Sequence, residues 1–194
     1  MIGVSTLSAD GRSVFDATST AVSLYKPENG FTGLIFGGRH LSDFSSAQAS
    51  YGWNGNDLKL ASTQIAAGVE RAYEYSYAVR HHTVAAELMI YFRPRSSMMR
   101  PYLSAGPGVA WFSSSQGRPI FTRDSPFLPP ARFSATDICF RVAVGIDIRL
   151  KGRAGFRYSF AETIQRNPIS AQMVPTGERN LANFQNLFGV FWRF

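Results

Sequence analysis

Two adjacent histidines, His81 and His82, are the residues of this chain whose type most directly suggests chemistry. An imidazole changes charge near neutral pH and can act as the base that activates a serine hydroxyl. A catalytic triad is defined by geometry, however, and spacing along the chain ties no serine or acid to these histidines. We therefore expect His81 and His82 to lie at the rim of a loop, and we predict no catalytic residues.

Two other features resemble chemical motifs only in part. Gly106-Pro107-Gly108 is glycine-rich, but the Lys-Ser/Thr pair and the helix of a phosphate-binding loop do not follow it. Cys139 is the single cysteine, so the chain has no internal disulfide, and no base near it can be named. We predict no cofactor or metal site, and the chain is not expected to be an enzyme.

A set of charged residues is more informative, because its members share one parity within alternating segments. In 138–150 the even positions are all apolar, whereas the odd positions are small or charged. A strand separates two such sets onto opposite faces, while a helix would mix them. The charged set that shares a face with Gly, Ala and Ser consists of Glu87, Arg141, Asp147, Arg149 and Arg157.

Alternation of this kind recurs along the chain and predicts eight strands. Short connections such as Lys151-Gly152 and 94–99 alternate with long ones, roughly 55–79, 113–132 and 165–180. We place the strands near 18–25, 31–39, 46–53, 84–93, 102–111, 138–150, 153–160 and 184–194, with a turn at 27–30. Loops sorted by length are typical of transmembrane barrels, which have short periplasmic turns and long extracellular loops.

The faces indicate which side meets lipid. No apolar run approaches the roughly 18 residues of a membrane helix. Bulky apolar residues fill one strand face without charge, and no second layer of helices is predicted to cover it. The sequence therefore predicts an all-β fold, an eight-stranded antiparallel transmembrane up-and-down β-barrel, with the charged set as an interior network. A soluble sandwich or lipocalin-like fold is the alternative.

The whole chain of 194 residues is expected to hold one domain. Residues 1–16 are polar and lack the basic and apolar regions of a signal peptide, so we predict an N-terminal extension there. The barrel domain is predicted over 17–194.

Two stretches resemble known outer-membrane proteins. Arg100 to Val109 contains Pro101-Tyr102 followed by Gly106 and Gly108, which looks like the PYxxxGxG strand of OmpA-like outer-membrane β-barrel domains. The hairpin after Phe140 is similar to the next hairpin of that family. The terminal strand resembles the signal that the barrel-assembly machinery recognises, with alternate apolar residues Phe188, Val190, Trp192 and Phe194. The resemblance implies a small outer-membrane barrel, here without the peptidoglycan-binding domain.

Net charge is +7, and much of it is predicted at the short-turn end. The basic residues expected to form a periplasmic rim are Arg39, Arg93, Arg95, Arg100, Lys151, Arg153 and Arg193. Anionic lipid headgroups attract such residues, and no nucleic-acid motif accompanies them.

We expect a bacterial outer-membrane protein with a structural or interaction role, a plugged polar lumen and long extracellular loops. Its expected partners are outer-membrane lipid, the assembly machinery and a membrane complex, but no nucleic acid. The alternatives are a narrow channel for small solutes and a lipid-modifying enzyme that uses a rim histidine.

Overall fold

The computed structural model describes residues 1–7, 10–15, 19–123, 129–150, 152–170 and 180–193. Within these residues the chain forms eleven strands: β1 (Ile2–Leu7), β2 (Asp10–Phe15), β3 (Ser19–Pro27), β4 (Gly30–His40), β5 (Ser45–Ala66), β6 (Val69–Tyr91), β7 (Met99–Ser114), β8 (Arg118–Arg123), β9 (Ser134–Arg149), β10 (Ala154–Arg166) and β11 (Asn180–Trp192). None of the described residues belongs to a helix long and apolar enough to cross a membrane.

Eight of these strands close into a ring. Its order is β1-β4-β5-β6-β7-β9-β10-β11, and β1 pairs with β11 to complete the circle. Every neighbouring pair is antiparallel. Closure leaves the ring without an unpaired edge. The predicted eight-stranded antiparallel barrel is confirmed.

The first two strands differ from the prediction. β3 and β4 both pair with β5 and run in the same direction, so the expected turn at 27–30 is only an interruption at Glu28-Asn29. The backbone N–H of Glu28 donates to the Asp57 carbonyl oxygen at 2.9 Å, which holds the chain against β5 there. The eighth strand of the ring is instead β1, within the residues that we expected to form an extension. Its alternation is clear, because Ile2 and Val4 are exposed whereas Ser5 and Leu7 are buried.

The predicted long loop over 55–79 is also replaced by strand. β5 and β6 stay paired until Ala66 and Val69, and only Ala67 and Gly68, with φ of 50° and 76°, connect them. β3 and β8 pair with this projecting hairpin on either side, and β2 pairs with β3. We call the end of the ring that carries this five-stranded outer sheet the hairpin end. The other end, which holds 41–44, 92–98, Leu150 and the turn residues Gly152 and Arg153, is the short-turn end.

The two faces of the ring differ as the parity predicts. Val144 is 50% exposed on the outer face, while Arg141, three positions earlier on the same strand, is 3% exposed on the inner face. Exposed apolar residues cover the outer face on every strand of the ring. Glu162, half-buried between Phe160 and Ile164, stands on this face as a charged exception that the sequence analysis did not single out.

Candidate functional site in the barrel interior

An ion pair crosses the middle of the barrel. Arg141 Nη1 on β9 lies 2.9 Å from Glu87 Oε2 on β6, and both side chains are almost fully buried. Ser50 and Ser104 each donate a hydroxyl to Glu87 at 2.8 Å. The carboxylate therefore accepts three hydrogen bonds, which compensate for the water that it has lost. We call Glu87 and Arg141 the central ion pair.

A second ion pair lies nearer the short-turn end. Arg157 donates two hydrogen bonds to the Asp147 carboxylate, from Nε to Oδ1 at 2.6 Å and from Nη2 to Oδ2 at 2.7 Å. Tyr91 donates its hydroxyl to the same carboxylate at 3.1 Å, and Arg157 Nη1 donates to Gln48 at 2.6 Å. This bidentate geometry holds both side chains in one orientation and also neutralises their charges. We call Asp147 and Arg157 the basal ion pair.

The fifth residue of the predicted network does not join these pairs. Arg149 lies half-buried at the short-turn end, where its Nη2 donates to the carbonyl oxygen of Arg95. Its parity is correct, but it stands at the end of β9 and therefore reaches the mouth of the barrel rather than its middle. Parity alone predicts the face of a strand residue and not its depth.

Towards the hairpin end, His81 is buried inside the barrel and not at a rim as expected. Gln165 Oε1 lies 2.8 Å from its Nε2, and the side-chain amides of Asn54 and Asn183 lie 3.1 and 3.2 Å from its Nδ1. We call these four residues the histidine layer. The three amides were missed by the sequence analysis, although their inward parity could have identified them. His82 faces outward, where the Tyr51 hydroxyl lies 2.7 Å from its Nδ1.

Above the histidine layer, apolar side chains fill the hairpin end. Buried residues form one cluster, the apolar cap: Leu7, Leu58, Leu60, Tyr77, Val79, Phe112, Phe133, Ile169 and Leu181. The Tyr77 hydroxyl donates to the Pro130 carbonyl oxygen at 2.9 Å, and burial raises the pKa of this phenol above its usual range. The cap places an uncharged, packed layer across this end of the interior.

The short-turn end holds a cavity of about 740 Å³, the arginine basin. Of the predicted rim, Arg39, Arg95, Arg100 and Arg193 line it together with Arg149 and Arg157, whereas Arg93 and Arg153 are exposed outside it. Arg100 is buried, with its guanidinium carbon 3.7 Å from the centre of the Tyr91 ring. Lys151 lies outside the described residues.

The remaining predicted features have these positions. Phe188, Val190 and Trp192 face outward on β11 and are exposed, and Phe194 lies outside the described residues. Gly106 and Gly108 allow a close approach of strands, since a Cβ at either position would overlap a carbonyl oxygen of β6. The described residues contain no group of three or more His, Cys, Asp or Glu side chains that could hold a metal ion.

Comparisons with known proteins give similarities of fold only. No family model and no curated protein matches this chain. Among solved structures, that of Neisserial surface protein A (NspA) is 12% identical with a TM-score of 0.42, and the match covers 100% of this chain and 96% of that one. The translocator domain of the autotransporter NalP from Neisseria meningitidis is 9% identical with a TM-score of 0.36, covering 100% and 88%. The eight-stranded barrel itself follows from the strand pairing described above.

Proposed function

We propose that this chain is an integral outer-membrane β-barrel whose closed interior makes it a rigid structural or interaction scaffold that displays the outer sheet. The observation that carries the proposal is the contrast between the two faces of the ring. Ionised side chains are paired inside, while residues such as Ile138, Val144 and Val190 are at least half exposed outside. An apolar surface around a whole barrel needs a cover, and lipid supplies it.

Aromatic residues support the same placement. Tyr51 and Trp111 are exposed on the outer face towards the hairpin end, and Phe92 and Trp192 towards the short-turn end. Amphipathic rings favour the headgroup regions at the two membrane surfaces, and barrels carry such girdles at both levels. On this proposal the short turns are periplasmic and the outer sheet is extracellular.

The layers of the interior favour a scaffold over the narrow channel. The basal ion pair, the central ion pair, the histidine layer and the apolar cap occupy successive levels between the short-turn end and the hairpin end. An eight-stranded barrel has an interior that side chains are large enough to fill. We infer a lumen that does not conduct ions.

The alternative of a lipid-modifying enzyme that uses a rim histidine receives less support from the hydrogen bonds of the two histidines. The hydrogen-bond partners of His81 are amides, and the partner of His82 is a phenol. Within the described residues, neither histidine has a serine or a carboxylate as a hydrogen-bond partner. A non-enzymatic role, membership of the OmpA-like group and recognition of the terminal strand by the assembly machinery all belong to the proposal.

Cysteine labelling tests the location and the orientation together. Ala67→Cys places a thiol in the exposed turn of the outer sheet, and the matched variant Ser96→Cys places one in an exposed short turn. Native Cys139 is buried, which keeps the background low. On intact Gram-negative cells a membrane-impermeant maleimide should modify Ala67→Cys at once and Ser96→Cys only after the outer membrane is permeabilised. The reverse order, or a protein found in the soluble fraction, would contradict the proposal.

A further inference from the structure

The arginine basin concentrates positive charge from six different parts of the chain. Its cations come from β4, the turn 92–98, β7, β9, β10 and the residue after β11: Arg39, Arg95, Arg100, Arg149, Arg157 and Arg193. Asp147 is the one carboxylate among the described residues that line it. Segments far apart in sequence therefore converge on a single strongly basic cavity.

Most of this charge has no carboxylate partner among the described residues. Asp147 is already engaged by Arg157 in the basal ion pair. Arg100 donates to the Asp43 carbonyl oxygen at 2.8 Å, Arg149 donates to the Arg95 carbonyl oxygen, and Arg193 donates to the Gly152 carbonyl oxygen at 3.5 Å. Carbonyl oxygens satisfy hydrogen-bonding capacity but contribute no formal negative charge, so five of the six arginines lack a carboxylate partner within the part of the chain that the structure describes.

Two guanidinium groups also keep unused donors. The Nε atoms of Arg149 and Arg193 are buried and have no hydrogen-bond partner among the described residues. Burial, and then the charges of Arg149 and Arg95, lower the pKa of Arg193. Buried donors without partners and like charges held together both raise the free energy of the basin. An anion would relieve both effects at once.

The shape of the donors indicates the class of anion. Guanidinium forks match the oxygen geometry of phosphate and carboxylate groups, and phosphate offers more acceptor oxygens and more charge to several forks at once. The volume of about 740 Å³ is within the range of small-ligand sites. A monocarboxylate would neutralise only one of the five arginines that lack a carboxylate partner among the described residues.

We propose that the arginine basin is a binding site for a phosphate-class polyanion, either a free condensed phosphate or the phosphorylated headgroup of a lipid. The site adds a ligand to the scaffold proposed above, and it does not depend on which membrane holds the barrel. Arg149 and Arg193 are the residues whose free donors the ligand would take up, and the basal ion pair forms the floor beneath it.

The test uses the full chain, folded in a zwitterionic detergent or in phosphatidylcholine nanodiscs. Soluble pyrophosphate is titrated calorimetrically in one arm. In the other, nanodiscs containing phosphatidylglycerol are compared with phosphatidylcholine alone, and lipid that co-purifies in detergent is measured by mass spectrometry. Pyrophosphate binding supports a free anion as ligand, and selective retention of phosphatidylglycerol supports a headgroup. Failure of the wild-type protein to bind either probe would overturn the proposal.

Paired variants show whether the basin is responsible. Arg149→Gln with Arg193→Gln should weaken binding at least tenfold. Arg71→Gln with Arg118→Gln removes the same charge from exposed positions of the outer sheet and should leave binding within twofold. Equal losses of affinity in the two double variants would indicate nonspecific electrostatic attraction and would overturn the proposed site. Gel electrophoresis checks that each variant folds: the boiled sample should migrate more slowly than the unboiled sample. If the first pair does not fold, Arg95→Gln in the turn 92–98 replaces it, with a loss of at least threefold expected and an unchanged affinity contradicting the site.

Discussion

The central ion pair illustrates how a charge is tolerated inside this barrel. Removing a carboxylate and a guanidinium from water costs several kcal/mol each, and their mutual attraction repays this only when the other donors and acceptors are also satisfied. Glu87 meets that condition through Ser50 and Ser104 as well as Arg141. We therefore expect the pair to specify the arrangement of the strands that hold it more than it raises their stability.

Replacing one partner should expose this dependence. Glu87→Gln leaves Arg141 buried without an opposite charge, and we expect a loss of about 3–5 kcal/mol in the free energy of unfolding. Adding Arg141→Gln removes the stranded charge and should recover part of that loss, because the two residues are coupled. Urea unfolding in detergent micelles measures Glu87→Gln, Arg141→Gln and the double variant. Additive losses would show that the two side chains act independently.

Sequence alone predicts faces well at the scale of the strand, because inside and outside have opposite chemistry in a barrel. The parity of Glu87, Arg141, Asp147 and Arg157 matches the inward direction that the structure gives each of them. Parity does not predict which strands pair with each other. β3 and β4 looked like two neighbours separated by a turn, yet both lie against β5, and a proline and a glycine at their junction do not reverse the chain.

Loop and strand are hard to distinguish where polar residues alternate with other polar residues. Lys59, Glu70, Arg71 and Glu74 make the segment after Gly55 look like a solvated loop. In the structure this polarity belongs to a projecting hairpin, stabilised by pairing along its full length and by contacts such as Lys59 to Glu28 at 2.9 Å. The side chains that reveal the strand, Leu58, Leu60 and Tyr77, are few, and they become buried only when the apolar cap assembles.

Polar substitutions on the two faces of β9 should distinguish the face that meets lipid from the face that lines the interior. Val144→Arg puts a cation on the apolar outer face, where a position near the midplane costs about 2–4 kcal/mol. Ala143→Ser places a hydroxyl in the polar interior and should cost about 1 kcal/mol or less. Unfolding in lipid vesicles compares them. A harmless Val144→Arg beside a damaging Ala143→Ser would mean that the outer face is covered by something other than lipid.

The hairpin turn makes a separate prediction for the outer sheet. Ala67 adopts a φ of 50°, a left-handed conformation that a residue with a Cβ adopts at a cost of about 1–2 kcal/mol. Ala67→Gly should therefore relieve strain and slow local opening of the turn, as hydrogen exchange of the flanking amides can measure. Gly68→Ala, with the native φ of 76°, is the matched change in the other direction and should speed that opening. Equal protection of the flanking amides from hydrogen exchange in both variants would contradict the proposed backbone strain at Ala67.

For the molecule as a whole, the proposed closed scaffold makes the layers of the interior act as barriers in series. An ion that enters the arginine basin next meets the basal ion pair, then the central ion pair, the histidine layer and the apolar cap. Each barrier is built by strands from several sides of the ring, so removing one leaves the others standing. The closure that we propose is therefore a property of the whole barrel and not of any one residue.

This arrangement predicts how conductance responds to mutation. The wild-type protein in a planar bilayer should show no stable conductance steps. Glu87→Ala combined with Arg141→Ala empties the central level but keeps the histidine layer and the apolar cap, so this variant should also remain closed. Adding Leu60→Ala and Tyr77→Ala, which remove two large side chains of the cap, should produce flickering openings, because the histidine layer is then the main barrier above the basal pair. Steady conductance of the wild-type protein would show that the layers admit ions, and the narrow channel would replace the closed scaffold as the better proposal.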